Sequence, residues 1–142
     1  MTTAPQQYKK LLPAISGETR PFWEACKRGE LLIQRCAKCG KYQFYPRGFC
    51  SHCWAAEPPQ WVKASGKGKV YTFTITYQNR SPGYAEEVPY VLALVELEEG
   101  VRMFTNIVDC KPQDVHIGMP VEVVFRKATE EVTIPYFRPA KP

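Results

Sequence analysis

Two Cys-x-x-Cys pairs, Cys36/Cys39 and Cys50/Cys53, stand ten residues apart, and nothing else in the sequence constrains the fold as strongly. Two residues between thiolates let a tight turn aim both sulfurs at one ion. Two such turns close a tetrahedron with Zn–S bonds near 2.3 Å. Gly40 follows the first pair and permits the backbone conformation that ends the turn. With all four positions occupied by cysteine, no site is left for a catalytic water, so the spacing predicts a structural metal. Zinc is the expected ion, with rubredoxin-like iron as its competitor, because four thiolates suit both. Disulfides would require an oxidising compartment, and the polar stretch Met1–Lys10 lacks the apolar segment of a signal peptide. A redox dithiol would stand singly beside a strand–helix pattern. Cys26 and Cys110 fall outside the metal pattern.

Charge sharpens this reading. The formal net charge is +5, but residues 1–68 carry 11 Lys/Arg against 4 Asp/Glu, whereas residues 69–142 carry 8 against 10. Arg35, Lys38, Lys41 and Arg47 lie inside or beside the cysteine pairs. Four thiolates around one divalent ion leave a negative cluster, so part of the basic excess is assigned to the metal site. That weakens the case for a protein that binds the nucleic-acid backbone. The longest apolar run, Tyr90–Val95, is far too short to span a bilayer. A soluble, cytoplasmic protein without a membrane partner is expected.

The elements around the metal site follow from pattern. Thr19–Gly29 reads as one short helix: Thr19 as cap, Pro21 in the first turn, Lys27 and Arg28 at the C-terminal dipole, and Gly29 as stop. Phe22, Trp23 and Cys26 share a face that either packs on the chain or docks on a partner. From Val70 the period changes to two, with Tyr71, Phe73, Ile75 and Tyr77 expected on one face. Further strands are expected at Tyr90–Leu97, Val101–Val108, Val121–Arg126 and Val132–Phe137, with Glu98–Gly100 as a hairpin turn. Five antiparallel strands in about 70 residues without a long helix suggest a small closed barrel, for which the OB-fold is the common solution. The predicted chain is mainly β: an N-terminal arm and short helix over 1–30, a rubredoxin-like zinc ribbon over 31–65, and a five-stranded OB-fold barrel over 66–142.

The residues Phe22, Trp23, Gly29, Leu31, Cys36, Cys39, Gly40, Tyr45, Pro46, Arg47, Cys50 and Cys53 resemble the zinc-ribbon half of the OB-fold acyl-CoA-associated proteins. The resemblance continues through Gly66, Gly68, Val70, Tyr71, Phe73, Pro89, Tyr90, Gly100, Gly118, Val121 and Phe125 to Phe137, Arg138 and Pro139. His52 departs from it, where many members carry proline. Members of this family are small subunits or fused domains that accompany thiolase-superfamily enzymes, including thiolases, steroid side-chain aldolases and acyltransferases. The small subunit of the benzylsuccinate-pathway thiolase is one of them. The resemblance thus implies a non-catalytic subunit with a thiolase-superfamily large subunit as partner. A CoA thioester is the possible shared ligand.

The catalytic patterns agree with that implication. The sequence has no Gly-x-Ser-x-Gly, no phosphate-binding glycine loop, and two histidines. His52 is hemmed in by Cys50 and Cys53 and reads as a bystander. Cys110 with His116 as nucleophile and base is conceivable, but the pair lies on a polar connection without the glycines such sites use. CoA carries a diphosphate and a 3′-phosphate, so a shared site needs cations. Lys41 and Arg47 on the ribbon and Arg80 on the long 78–88 loop, near Tyr84 and Tyr90, are the candidates. Two alternatives remain: a nucleic-acid binder stacking bases on Tyr71, Phe73 or Tyr77, and a free-standing enzyme.

Overall fold

The computed structural model describes residues 7–141. One helix, α1 (Arg20–Lys27), precedes a three-stranded antiparallel sheet and a closed five-stranded barrel. The sheet is built from β1 (Leu32–Arg35), β2 (Tyr42–Gln43) and β3 (Gln60–Lys63) in the order β2-β1-β3. The barrel strands are β4 (Lys67–Thr76), β5 (Tyr90–Leu97), β6 (Arg102–Ile107), β7 (Pro120–Lys127) and β8 (Thr133–Pro139), in the order β4-β5-β6-β8-β7. This is the five-stranded OB-type arrangement. The strands are not all antiparallel as expected: β6 and β8 pair in parallel at Ile107 and Phe137. A connection that returns the last strand beside the third leaves no other sense for that pair.

Closure depends on two glycines. β4 pairs with β5 along its length and with β7 only at its start, where Gly68 faces Leu97 on one side and Val121 on the other. A Cβ on Gly68 would stand 2.3 Å from the carbonyl oxygen of Glu96, so no larger residue fits between the two neighbours. Gly66, at φ +75, would place a Cβ 2.7 Å from Cγ1 of Val123.

The expected aromatic row on β4 is not formed. A bulge between Val70 and Thr72 inserts Tyr71, which turns outward, while Val70 is buried and Phe73 and Ile75 pack on the core. Tyr71 and Phe73 therefore lie on opposite sides of the barrel wall, and Arg102 stacks 3.7 Å over the Tyr71 ring. Of the three rings considered for base stacking, Phe73 is taken up by the core while Tyr71 and Tyr77 stay exposed.

The alternation in β5 buries Val91, Ala93, Val95 and Leu97, joined inside the barrel by Met103, Ile107, Val121 and Phe137. The same apolar cluster continues into α1 and the ribbon through Phe22, Cys26, Leu31, Ile33 and Ala64. Helix α1 touches β1 on one side and β7 and β8 on the other, so its Phe22/Trp23/Cys26 face is a packing face. Thr19 does not cap the helix with its side chain as expected; its Oγ1 instead accepts the N–H of Ser16 at 2.9 Å. Among the described residues, no helix is long and apolar enough to cross a membrane.

Candidate metal centre

Both cysteine pairs sit on matching turns. In the first, the Gly40 N–H donates to the Cys36 carbonyl at 2.9 Å; in the second, the Trp54 N–H donates to the Cys50 carbonyl at 3.0 Å. The turns aim all four sulfurs inward, each within 4.8 Å of the others, with Cys36–Cys53 and Cys39–Cys50 at 3.7 Å. A tetrahedron with 2.3 Å metal–sulfur bonds has edges of about 3.8 Å, so two opposite edges of the cage already match a four-thiolate ion and the rest are within about 1 Å of it. Backbone amides answer the sulfur charge. The N–H of Cys39 donates to Cys36 Sγ at 3.4 Å, and those of His52 and Cys53 to Cys50 Sγ at 3.3 and 3.5 Å.

The N–H of Cys53, helped by that of His52, draws the Cys50 thiol down to about 6. The N–H of Cys39 lowers Cys36 in the same way. At Cys39 the N–H of Lys41 pulls downward, but burial and the three neighbouring sulfurs outweigh it and push the thiol up to about 11. Four sulfurs this close do not all ionise unless a cation sits among them, which is what a bound ion supplies.

Among the described residues, no Lys or Arg side chain hydrogen-bonds to a sulfur. Arg35 donates instead to the Gly40 carbonyl at 3.0 Å and lies over the Tyr42 ring. Lys38, Lys41 and Arg47 are exposed. The basic residues beside the cysteines therefore do not bind the sulfurs directly, which leaves their side chains on the surface beside the cluster whose charge they were expected to offset. His52 is no ligand either; its ring meets the Tyr42 carbonyl at 3.0 Å.

Two buried glutamines brace the second turn, and the sequence reading missed both. Gln34 holds the backbone of Arg47 from both sides, accepting its N–H and donating to its carbonyl at 2.9 Å each. Gln43 donates to the Phe49 carbonyl at 3.1 Å and accepts the Ser51 N–H at 2.9 Å. The only sequence signal was position: each glutamine lies within three residues of the cysteine sites or their flanking aromatics, among apolar neighbours that predict burial.

The candidate CoA cations come from two elements. Lys41 and Arg47 lie on the ribbon, while Arg80 lies on the β4–β5 loop, flanked by Asn79, whose side chain donates to the Tyr90 hydroxyl at 3.0 Å. Tyr90 lines a cleft of about 590 Å³ at the barrel mouth with Lys10, Cys110, Arg126 and Tyr136, a cleft that Arg80 does not line. Its cations are engaged: Lys10 pairs with Glu87 and Arg126 with Asp109. Tyr84 is occupied as well, packing on Tyr90 and under the Lys10 ammonium. Cys110 and His116 make no pair. Burial, reinforced by Asp114 and Asp109, raises the Cys110 thiol, and His116 turns its Nδ1 to the Asp114 carbonyl.

Residues 23–59 match the family model described as the ChsH2 rubredoxin-like zinc ribbon domain, and residues 61–126 match the ChsH2 C-terminal OB-fold domain. A DUF35 domain-containing scaffold protein of Methanocaldococcus jannaschii is 44% identical over 110 residues, 77% of each chain. A probable enoyl-CoA hydratase alpha subunit of Thermomonospora curvata is 42% identical over 132 residues. That alignment takes in 92% of this chain but 40% of the longer relative. Among solved structures, a chain of the Ltp2-ChsH2(DUF35) aldolase superposes with a TM-score of 0.82 at 41% identity, covering 92% of this chain and all of that one.

Proposed function

Because this chain belongs to the ChsH2/DUF35 family of zinc-ribbon/OB-fold proteins, we propose that it is the non-catalytic scaffold subunit of an acyl-CoA-processing complex whose large subunit is of the thiolase superfamily. The observation that carries the proposal is the likeness, over 92% of this chain, to a chain of the Ltp2-ChsH2(DUF35) aldolase. The local chemistry supports it. The sulfurs are arranged to bind a structural zinc, and burial with the neighbouring Asp114 and Asp109 raises the Cys110 thiol, the opposite of what activates a nucleophile. The zinc ribbon and barrel share one core, which suits a rigid spacer.

The second part of the proposal is that the CoA thioester lies at the seam between the two subunits, with its phosphates reached by Lys41, Arg47 and Arg80. Exposure of Lys41 and Arg47, and their freedom from the thiolates, supports this assignment. The relatives' names include hydratase alpha subunits as well as an aldolase. The scaffold role proposed here does not depend on which acyl chemistry the large subunit performs.

The test is reconstitution. The purified chain, mixed with purified Ltp2, should co-elute as a complex by size exclusion with light scattering. Acyl-CoA turnover should require the large subunit. Turnover by this chain alone, abolished in Cys110→Ala, would overturn the proposal.

A further inference from the structure

The two metal-binding turns end on the same backbone conformation but with opposite residues. Gly40 closes the first at φ +74, where glycine avoids the clash that a Cβ brings; Trp54 closes the second at φ 60. Trp54 is left 74% exposed, so burial does not compensate for placing a bulky residue where the first turn uses glycine. Its ring stacks on Phe49, at 5.6 Å between centroids and 14° between planes, and Phe49 is itself exposed. Tyr45, 53% exposed, stands on Phe44, which packs on the buried Phe22 of α1.

The platform is held rigid from beneath. Gln34 and Gln43 fix the backbone of Arg47, Phe49 and Ser51 between Tyr45 and Trp54. Its charge is mainly positive: residues 31–65 carry Arg35, Lys38, Lys41, Arg47 and Lys63 against Glu57, with the Glu18 carboxylate reaching in beside Gly48 as a further acidic group. Among the described residues, Lys38, Lys41 and Arg47 form no salt bridge; on the arm and barrel Lys9, Lys10, Arg102, Arg126, Lys127 and Arg138 are paired with acidic residues, while Lys67, Lys69, Arg80 and Lys111 are not. Rigid, exposed Trp and Tyr beside cations without acidic partners form the composition that dominates protein–protein binding energy. The outer barrel face offers a rival patch around Phe104 and Leu92, but its nearby charges, Arg102 and Glu96, neutralise each other.

We infer that the stacked Phe49/Trp54 pair of the ribbon, with the exposed Tyr45 on the same β2–β3 connection, is the anchor by which this chain docks its large subunit, entering an apolar socket rimmed by carboxylates. This rests on the scaffold reading and adds the surface and the chemistry of the partner's site.

The test titrates purified Ltp2 with the full-length, zinc-loaded chain by calorimetry. Trp54→Gly restores to the second turn the residue that the first one uses, so it should keep one zinc per chain and an unchanged or higher Tm. It should nevertheless raise Kd about 30-fold or more, the mark of a hot-spot anchor. Lys38→Glu should slow association, with a deficit that shrinks as salt rises. Wild-type chain that does not bind Ltp2 would remove both the scaffold reading toward this partner and the inference. Wild-type binding that survives Trp54→Gly but is lost in Phe104→Ser would keep the scaffold reading and overturn the inference in favour of the barrel face. Quenching of Trp54 fluorescence by a single-stranded oligonucleotide at physiological salt, with no response to Ltp2, would overturn it in favour of nucleic acid.

Discussion

Gln34 and Gln43 stand opposite each other in the β1–β2 pair, and the Gln43 amide donates to the Gln34 carbonyl oxygen at 2.7 Å. Both are buried, and between them they satisfy backbone groups of three residues on the loop that carries Cys50. The metal turn is therefore positioned by a side-chain network as well as by its own hydrogen bonds.

Gln34→Met keeps the side-chain volume but orphans the N–H and carbonyl of Arg47. Both bonds are part-buried, and each such bond contributes about 0.5–1.5 kcal/mol net, so urea unfolding should show a loss of that order. Competition with a chromogenic chelator should also show faster zinc release than from wild type. Wild-type stability and release in Gln34→Met would mean that the metal alone organises the loop.

Removing zinc should separate the two halves of the shared core unequally. The ribbon has a three-stranded sheet with one two-residue strand and depends on its ion. The barrel closes on itself, but loses the cover of Phe22, Leu31 and Ile33 if the ribbon opens. Hydrogen exchange after chelation should show fast exchange throughout β1–β3, protection retained in β4–β8, and a lower barrel Tm. Elemental analysis should give one zinc per chain, and its absence from protein purified without chelator would defeat the assignment.

These features divide by how local their cause is. The four cysteines were legible because a two-residue spacing is a complete statement about a turn, and β5 was legible because Val91, Ala93, Val95 and Leu97 alternate without interruption. The bulge at Tyr71 was not, since one extra residue in a strand changes no composition but reverses every face after it. The parallel β6–β8 pair and the Gln34/Gln43 network depend on partners distant along the chain, to which periodicity is blind. Trp54 was passed over because its significance lies in a positive φ, and a tryptophan gives no hint of one.

Gly68→Ala should abolish the fold, since the added methyl would meet backbone on the neighbouring strand and not a side chain able to move. Gly100→Ala is the control. Its site is open, and only the φ of +89 opposes the change, at about 1–2 kcal/mol. Soluble, cooperatively unfolding Gly68→Ala would show that the barrel closes differently.

Cys26 links stability to alkaline pH. Burial pushes its thiol up to about 12, against an ordinary value near 9. A raised folded value means that its contribution is whole below pH 9 and is lost as pH climbs from there toward 12, at up to about 1.4 kcal/mol per pH unit. Urea unfolding at pH 8 and pH 10 should show that decline in wild type and a smaller one in Cys26→Ala. Equal slopes would place the alkaline sensitivity elsewhere.

Arg47 allows the seam proposal to be tested without disturbing the metal. Its backbone is clamped by Gln34 and its side chain touches no sulfur, so Arg47→Gln should leave zinc content and Tm at wild-type values. A guanidinium on a CoA phosphate makes a charge-assisted hydrogen bond, and losing one is worth about 10-fold or more in binding. In the reconstituted complex the acyl-CoA KM should rise by about that factor while kcat changes little, because the phosphates are remote from the thioester. Arg80→Gln, on the β4–β5 loop, should add a separate rise if the CoA also reaches the barrel. If Arg47→Gln loosens the zinc and neither change alters acyl-CoA kinetics, the phosphates are held wholly by the large subunit, and this chain contributes support without touching the substrate.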